Sequence, residues 1–190
     1  MENIDNKKQI IIDKLEALKQ SQFRTVIFGI SGSVASIKAK DIVQSLIDLN
    51  LNVVLIGTKS ALHFINNCGE DYSLTELLSK YGIVKMQKET LQATPIFEMF
   101  MEEDEWSAWT KRDDYVLHIE LRKLASMLLI APLSANTMAK ISHGICDNLL
   151  TNIARCWDFK GKVPFIVAPA MNTMMNCCTA NFEKEINVWR

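Results

Sequence analysis

Along the chain, nearly unbroken apolar runs alternate with segments whose apolar residues recur every three or four positions. The first run, Arg24 to Ile30 (RTVIFGI), is β-branched and aromatic, as expected of a strand buried on both faces of a parallel sheet. A small-residue loop, Ser31 to Ser36 (SGSVAS), leads into Ile37 to Leu49, where Ile42, Val43, Leu46, Ile47 and Leu49 fall at helical spacing. Asn52 to Gly57 (NVVLIG) repeats the strand pattern, and TKSALHFI after it reads as a loop and short helix. Two more strands are predicted at Ala125 to Pro132 and Lys162 to Pro169, with helices between. Strands alternating with helices predict an α/β fold built on a doubly wound parallel sheet.

Outside this alternation, residues 7 to 20 carry Ile10, Leu15 and Leu18 among charges, an amphipathic helical pattern ahead of the first strand. The expected division is an N-terminal helical appendage over 1–22 and a single domain over 23–190. The appendage either packs on the domain or joins a partner. The stretch from Tyr72 to Asp114 is the least regular. It opens on a possible capping box, Ser73 with Glu76, before Leu77 and Leu78. Trp106 and Trp109, three apart, would share a helix face as a packing device.

Composition narrows the function classes. With 190 residues, 48% hydrophobic and 23% charged, the chain can bury one core without disulfides or a metal. A net charge of −1 offers no basic footprint for nucleic acid, and no apolar run approaches the length of a membrane span. The charged start is unlike a secretory signal, so a cytoplasmic location is expected. Five scattered cysteines, Cys68, Cys146, Cys156, Cys177 and Cys178, lack C-x-x-C spacing and read as reduced thiols, the adjacent pair included. No metal-ligand spacing is present.

Chemistry belongs beyond the carboxyl ends of the strands, where loops enter helix starts with unpaired backbone N–H groups. After the first strand, Gly32 sits among the hydroxyls of Ser31, Ser33 and Ser36, a loop suited to a phosphate. It matches neither G-x-G-x-x-G nor G-x-x-x-x-G-K-[ST], and a tight strand-to-helix turn alone would also favour glycine and serine. Thr58 and Ser60 follow the second strand. Ser134, Asn136 and Thr137 follow the third, with Ser134 readable either as a ligand donor or as a helix N-cap. Ala170 and Asn172 follow the fourth. His118 is the candidate for proton handling, because histidine is the side-chain type suited to acid–base work near neutral pH, although a lone histidine among apolar residues is more often structural; His63 and His143 share that limitation.

Several long segments occur in order along the chain: SGSVASIK (31–38), TKSALHF (58–64), DEWSAW (104–109), VLHIELRKLA (116–125), IAPLSANTMAKISHGICDNLL (130–150) and APAMNTMM (168–175). Together they resemble the flavin-containing cysteine decarboxylase family, especially its phosphopantothenoylcysteine decarboxylases. The resemblance runs from about Thr25 to Asn176. It implies a Rossmann-like, flavodoxin-like fold, a homotrimer, and FMN near the subunit interface. FMN would be held by Ser33, Val34, Ala35, Thr58, Ser60, Ser134, Ala135, Asn136 and Thr137, with Ala170 beside it. His118 would be catalytic and Asn172 would contact the substrate's cysteine carboxylate or amide region. The implied reaction converts 4′-phosphopantothenoylcysteine to 4′-phosphopantetheine in coenzyme A biosynthesis, the flavin accepting and then returning two electrons.

Three features depart from the family pattern. Asn176 follows Met175 where a tryptophan is common, the region from Tyr81 to Phe97 is longer than usual, and the sequence ends at Arg190 before the expected substrate-covering flap with its cysteine. The alternative reading is therefore a non-catalytic FMN-binding relative that regulates a phosphatase or serves as partner subunit of a mixed trimer. A flavin prenyltransferase fits the His118 and Asn172 motifs less well.

Overall fold

A computed structural model of the chain describes residues 2–83 and 93–176. Five parallel strands form one sheet in the order β3-β2-β1-β4-β5, where β1 is Thr25–Ile30, β2 Asn52–Gly57, β3 Phe97–Phe100, β4 Ala125–Leu133 and β5 Phe165–Pro169. The chain winds outward from β1 to β3, then returns to place β4 on the other side of β1. This is the doubly wound Rossmann order, and its switch point lies between β1 and β4.

Alternate side chains of the central strands feed two cores. Val26, Phe28 and Ile30 of β1, with Val53 and Leu55 of β2, pack under α2 (Ala39–Asp48), α3 (Lys59–Asn67) and α4 (Thr75–Tyr81). Ile27, Val54 and Ile56 face α1 (Glu2–Gln20), α6 (Leu117–Leu124) and α8 (Leu149–Arg155). Period-two side chains on a sheet buried from both sides explain why these strands read as continuous apolar runs. Gly29 of β1 admits α8: a Cβ there would stand 2.5 Å from Leu150 Cδ1.

The N-terminal helix packs on this domain. Ile11, Leu15 and Leu18 are buried in the same core as β1 and β4, whereas Ile10 is 42% exposed, so the buried stripe runs through Ile11 rather than Ile10. Each buried aliphatic side chain contributes up to roughly 1.5–3 kcal/mol relative to exposure. Polar ties reinforce the contact: Lys14 pairs with Glu98 of β3 at 2.7 Å, and Lys8 with Asp114 at 2.6 Å.

Sequence patterning missed β3, which is four residues long with Glu98 in its interior. Glu98 is buried because Lys14 neutralises it and the N–H of Ile83 donates to its other oxygen at 2.7 Å. Asn52 positions the strand's entry: its Oδ1 accepts from Ile96 N at 2.9 Å while its Nδ2 donates to the Phe23 carbonyl at 3.0 Å.

Three local expectations are corrected. The capping box of Ser73 and Glu76 does not form; α4 starts one residue later, Ser73 Oγ accepts from Thr75 N, and Glu76 pairs with Lys40. Trp106 and Trp109 are 70% and 50% exposed and share no packed face, because α5 (Glu102–Ala108) ends before Trp109. The fourth predicted strand begins at Phe165 rather than Lys162 and is only half covered. Most of the expected insertion, and Cys177 and Cys178, lie outside the described residues.

Candidate functional site

The switch point is held by one buried hydroxyl. Ser31, directly after β1, donates from Oγ to the Pro132 carbonyl at 2.9 Å and accepts there from the N–H of Ser134 at 2.7 Å. Its own N–H also donates to the Pro132 carbonyl, and its carbonyl accepts from Ser36 Oγ at 3.0 Å. The loops after β1 and β4 are thereby fixed to each other. Alongside, Thr58 N donates to the Ile30 carbonyl at 3.0 Å, joining the end of β2 to the same edge.

Each of these loops enters a helix through a hydroxyl cap. Ser33 Oγ accepts from Ala35 N in the 3₁₀ turn Val34–Lys38, Thr58 Oγ1 from Ala61 N in α3, and Ser134 Oγ from Thr137 N in α7 (Ala135–Ser142). The cap reading of Ser134 is therefore correct, and it is compatible with ligand binding. In α3 and α7 the cap satisfies the third helical N–H and leaves the first two, Lys59 and Ser60 in α3 and Ala135 and Asn136 in α7, without intrahelical partners. Gly32 is what allows the loops to close up, since a Cβ at that position would stand 2.6 Å from Ser60 Cβ.

Between these helix starts lies a cleft of about 300 Å³, lined by Thr58, Ser60, Ser134, Asn136 and Thr137 among others. Its cations are partly committed: Lys140 pairs with Asp147, whose carboxyl it holds below the ordinary range, while exposed Lys59 lies 3.8 Å from Glu103. Backbone N–H groups and hydroxyls supply most of the donors, a set that fits a phosphoryl group. Ser33, Val34, Ala35 and Ala135 belong to the same loops but do not line the cleft. Ala170 is tied to this edge through its N–H, which donates to the Leu133 carbonyl at 3.0 Å. Asn172 is exposed, and its Oδ1 accepts from Met174 N to cap α9 (Thr173–Asn176).

His118 sits elsewhere, in the first turn of α6, and lines neither this cleft nor the larger apolar one. Its Nδ1 lies 2.6 Å from Oε1 of Glu105, and its backbone N–H donates to Oε2 of the same carboxylate at 3.0 Å. Sequence reading passed over Glu105, thirteen residues upstream; its one available signal was the pair of carboxylates, Asp104 and Glu105, that opens the otherwise aromatic and small DEWSAW segment. One helical turn past His118, the Arg122 guanidinium stacks over Trp157 at 4.7 Å. Cys156, at the end of α8, places its thiol near the His118 carbonyl, and burial pushes that thiol's pKa up, against the opposing effect of Arg122. A thiol so shifted is a poor nucleophile. His63 and His143 are exposed and bonded within their own helices, His63 through Asn67 and His143 to the Ala139 carbonyl.

The apolar cleft, about 470 Å³, is bounded by β5 and helices α7 and α8 through Leu133, Met138, Trp157, Phe165 and Val167. Ile166 of β5 is 46% exposed on the outer face of the sheet.

Similarity to known proteins follows the same layout. Over 150 residues the chain is 43% identical to a phosphopantothenoylcysteine decarboxylase HAL3 of Malus domestica, covering 79% of this chain and 58% of that protein. It thus spans about three fifths of the length of this curated relative. Among solved structures, a PPC decarboxylase mutant complexed with pantothenoylaminoethenethiol superposes with a TM-score of 0.68 at 38% identity, covering 88% of this chain and 79% of the other. The FMN-binding protein AtHal3 does so with the same TM-score and identity, covering 88% and 78%. The Flavoprotein family model matches residues 14–186, which takes in all five strands, the three capped loops, His118 and the half of α1 that carries Leu15 and Leu18. On that match and on the shared sheet, the chain belongs to the Flavoprotein family.

Proposed function

We propose that the chain binds FMN at the carboxyl edge of its sheet and catalyses decarboxylation of 4′-phosphopantothenoylcysteine to 4′-phosphopantetheine, in the cytoplasm. The observation that carries this reading is the convergence of two hydroxyl-capped helix starts, those of α3 and α7, with Gly32 on one cleft, in a chain 43% identical over 150 residues to a protein named phosphopantothenoylcysteine decarboxylase. The FMN phosphate would be held by the first-turn N–H groups of α3 and α7 with Thr58, Ser60, Ser134, Ala135, Asn136 and Thr137, supported by Ser33, Val34 and Ala35. Ala170 would lie beside the ring. When bound, FMN supplies a two-electron acceptor and donor for the cysteinyl end of the substrate.

The chain's own residues bind, orient and move protons. Asn172 would hold the substrate's carboxylate or amide. His118, with Nδ1 engaged by Glu105, presents Nε2 for orienting the carboxylate or transferring a proton. Overall the reaction is redox-neutral: carbon dioxide leaves and a proton takes its place on carbon. A homotrimer with the cofactor near the subunit interface accommodates two facts, the separation of His118 from the cleft within one chain and the uncovered outer face of β5.

Mass spectrometry of 4′-phosphopantothenoylcysteine incubated with the purified, FMN-loaded protein tests this reading. Loss of one carbon dioxide is expected. Unchanged substrate with FMN bound would instead favour the non-catalytic alternative, a phosphatase regulator or partner subunit of a mixed trimer. Failure to bind FMN at all would overturn both. His118→Asn should keep FMN and lose decarboxylation; a flavin-free variant would make His118 structural.

A further inference from the structure

We propose that Glu105 is a positioning residue that fixes which ring nitrogen His118 presents to substrate. Glu105 is 8% exposed and spends both carboxylate oxygens on one residue, Oε1 on Nδ1 at 2.6 Å and Oε2 on the backbone N–H at 3.0 Å. A carboxylate only accepts hydrogen bonds. The ring nitrogen facing it must therefore carry a proton, because a bare Nδ1 would set two lone pairs against each other at 2.6 Å. That requirement leaves Nε2 as the nitrogen turned away from Glu105, and no described hydrogen bond engages it.

The second contact makes the arrangement directional. Since the same carboxylate holds the first turn of α6, the ring and its main chain are registered to one group on a neighbouring helix, and the imidazole cannot turn without losing a short hydrogen bond. The only other described side-chain hydrogen bond to His118 is a long one from the Cys156 thiol to its carbonyl, at 3.9 Å, and none besides that from Glu105 reaches the ring. Ring nitrogens held by carboxylates in this way set tautomer and orientation in other histidine sites.

The isosteric change Glu105→Gln makes a sharp chemical prediction. A carboxamide has one accepting oxygen and one donating NH₂. If the oxygen keeps the His118 backbone N–H, the NH₂ faces Nδ1 as a donor, so the neutral ring must bare Nδ1 and protonate Nε2. The substitution should therefore invert the tautomer while nearly preserving shape.

Two-bond ¹H–¹⁵N correlation spectra of the FMN-loaded protein with ¹⁵N-labelled histidine read this directly, since the chain has 3 histidines and His118→Asn assigns the signal. Wild type should show His118 protonated at Nδ1, and Glu105→Gln should show the Nε2–H form. A bare Nδ1 in wild type, or an unchanged tautomer in the variant, would overturn the proposal. The wild-type spectrum decides even if the variant fails to fold. The kinetic arm rests on the decarboxylase reading: Glu105→Gln should lower kcat by roughly 10- to 1,000-fold, with KM and FMN content nearly unchanged, since a misdirected tautomer removes proton handling without removing binding. A purely structural Glu105 would instead lower the melting temperature and leave the tautomer and the kcat of folded, FMN-bound protein alone, which also sinks the proposal. If wild type fails to turn over yet shows Nδ1–H and the inversion, the enzyme reading falls and the positioning stands.

Discussion

The N–H of Ser134 donates to the buried Oγ of Ser31 at 2.7 Å, so the loops that leave β1 and β4 at the switch point are one hydrogen-bonded unit. In Ser31→Ala the Pro132 carbonyl keeps the Ser31 backbone N–H, but Ser134 loses its acceptor in a dry environment. Leaving one buried N–H unsatisfied costs about 1–3 kcal/mol. Urea denaturation should show that loss, and fluorescence titration should show weaker FMN binding, because the α7 cap moves with Ser134.

Gly32 and Ser60 stand too close for a side chain on both. Gly32→Ala would press its methyl to 2.6 Å from Ser60 Cβ, and since that atom is bound directly to the backbone it cannot swing aside. Overpacking of this kind costs about 1–3 kcal/mol. Adding Ser60→Gly should restore the melting temperature without restoring FMN affinity, because it returns the space and removes a hydroxyl.

Lys14 and Glu98 couple α1 to the edge strand. Lys14→Met would leave the Glu98 carboxylate buried without a counter-ion, a loss of roughly 3–5 kcal/mol. The double change Lys14→Met with Glu98→Met should recover much of it, measured as a double-mutant cycle by urea denaturation. An α1 that was merely appended would give no such coupling.

Asp114 carries the acid sensitivity of the other α1 contact. Its carboxyl is held far below the ordinary value of 3.8, first by Lys8 and then by donors from Thr110 and Lys111. A carboxyl depressed in the folded state contributes stability that is present above its unfolded pKa and is lost as pH falls through the folded one. The stability gap between wild type and Asp114→Asn should be level from neutral pH to about 5 and shrink below 3.8, as followed by tryptophan fluorescence during urea unfolding.

What the sequence determined by itself was the part of the protein written in local pattern. Four strands and the helix after each glycine or hydroxyl turn were legible because a sheet covered on both faces demands unbroken apolar runs, and because caps need serine, threonine or asparagine at fixed offsets from a helix start. Family resemblance carried the expected ligand loops, and the structure brings Thr58, Ser60, Ser134, Asn136 and Thr137 to one cleft. What only tertiary structure decided were the residues whose meaning depends on a distant partner. The interior Glu98 looks unlike a strand residue until Lys14 arrives from 84 positions away. Trp106 and Trp109 look like packing until the helix ends between them. Glu105 looks like a surface charge until α6 folds back and presents His118 to it. Periodicity records which face of an element is dry; it cannot record which charge from another element will make a buried carboxylate affordable, or where that carboxylate will aim a ring.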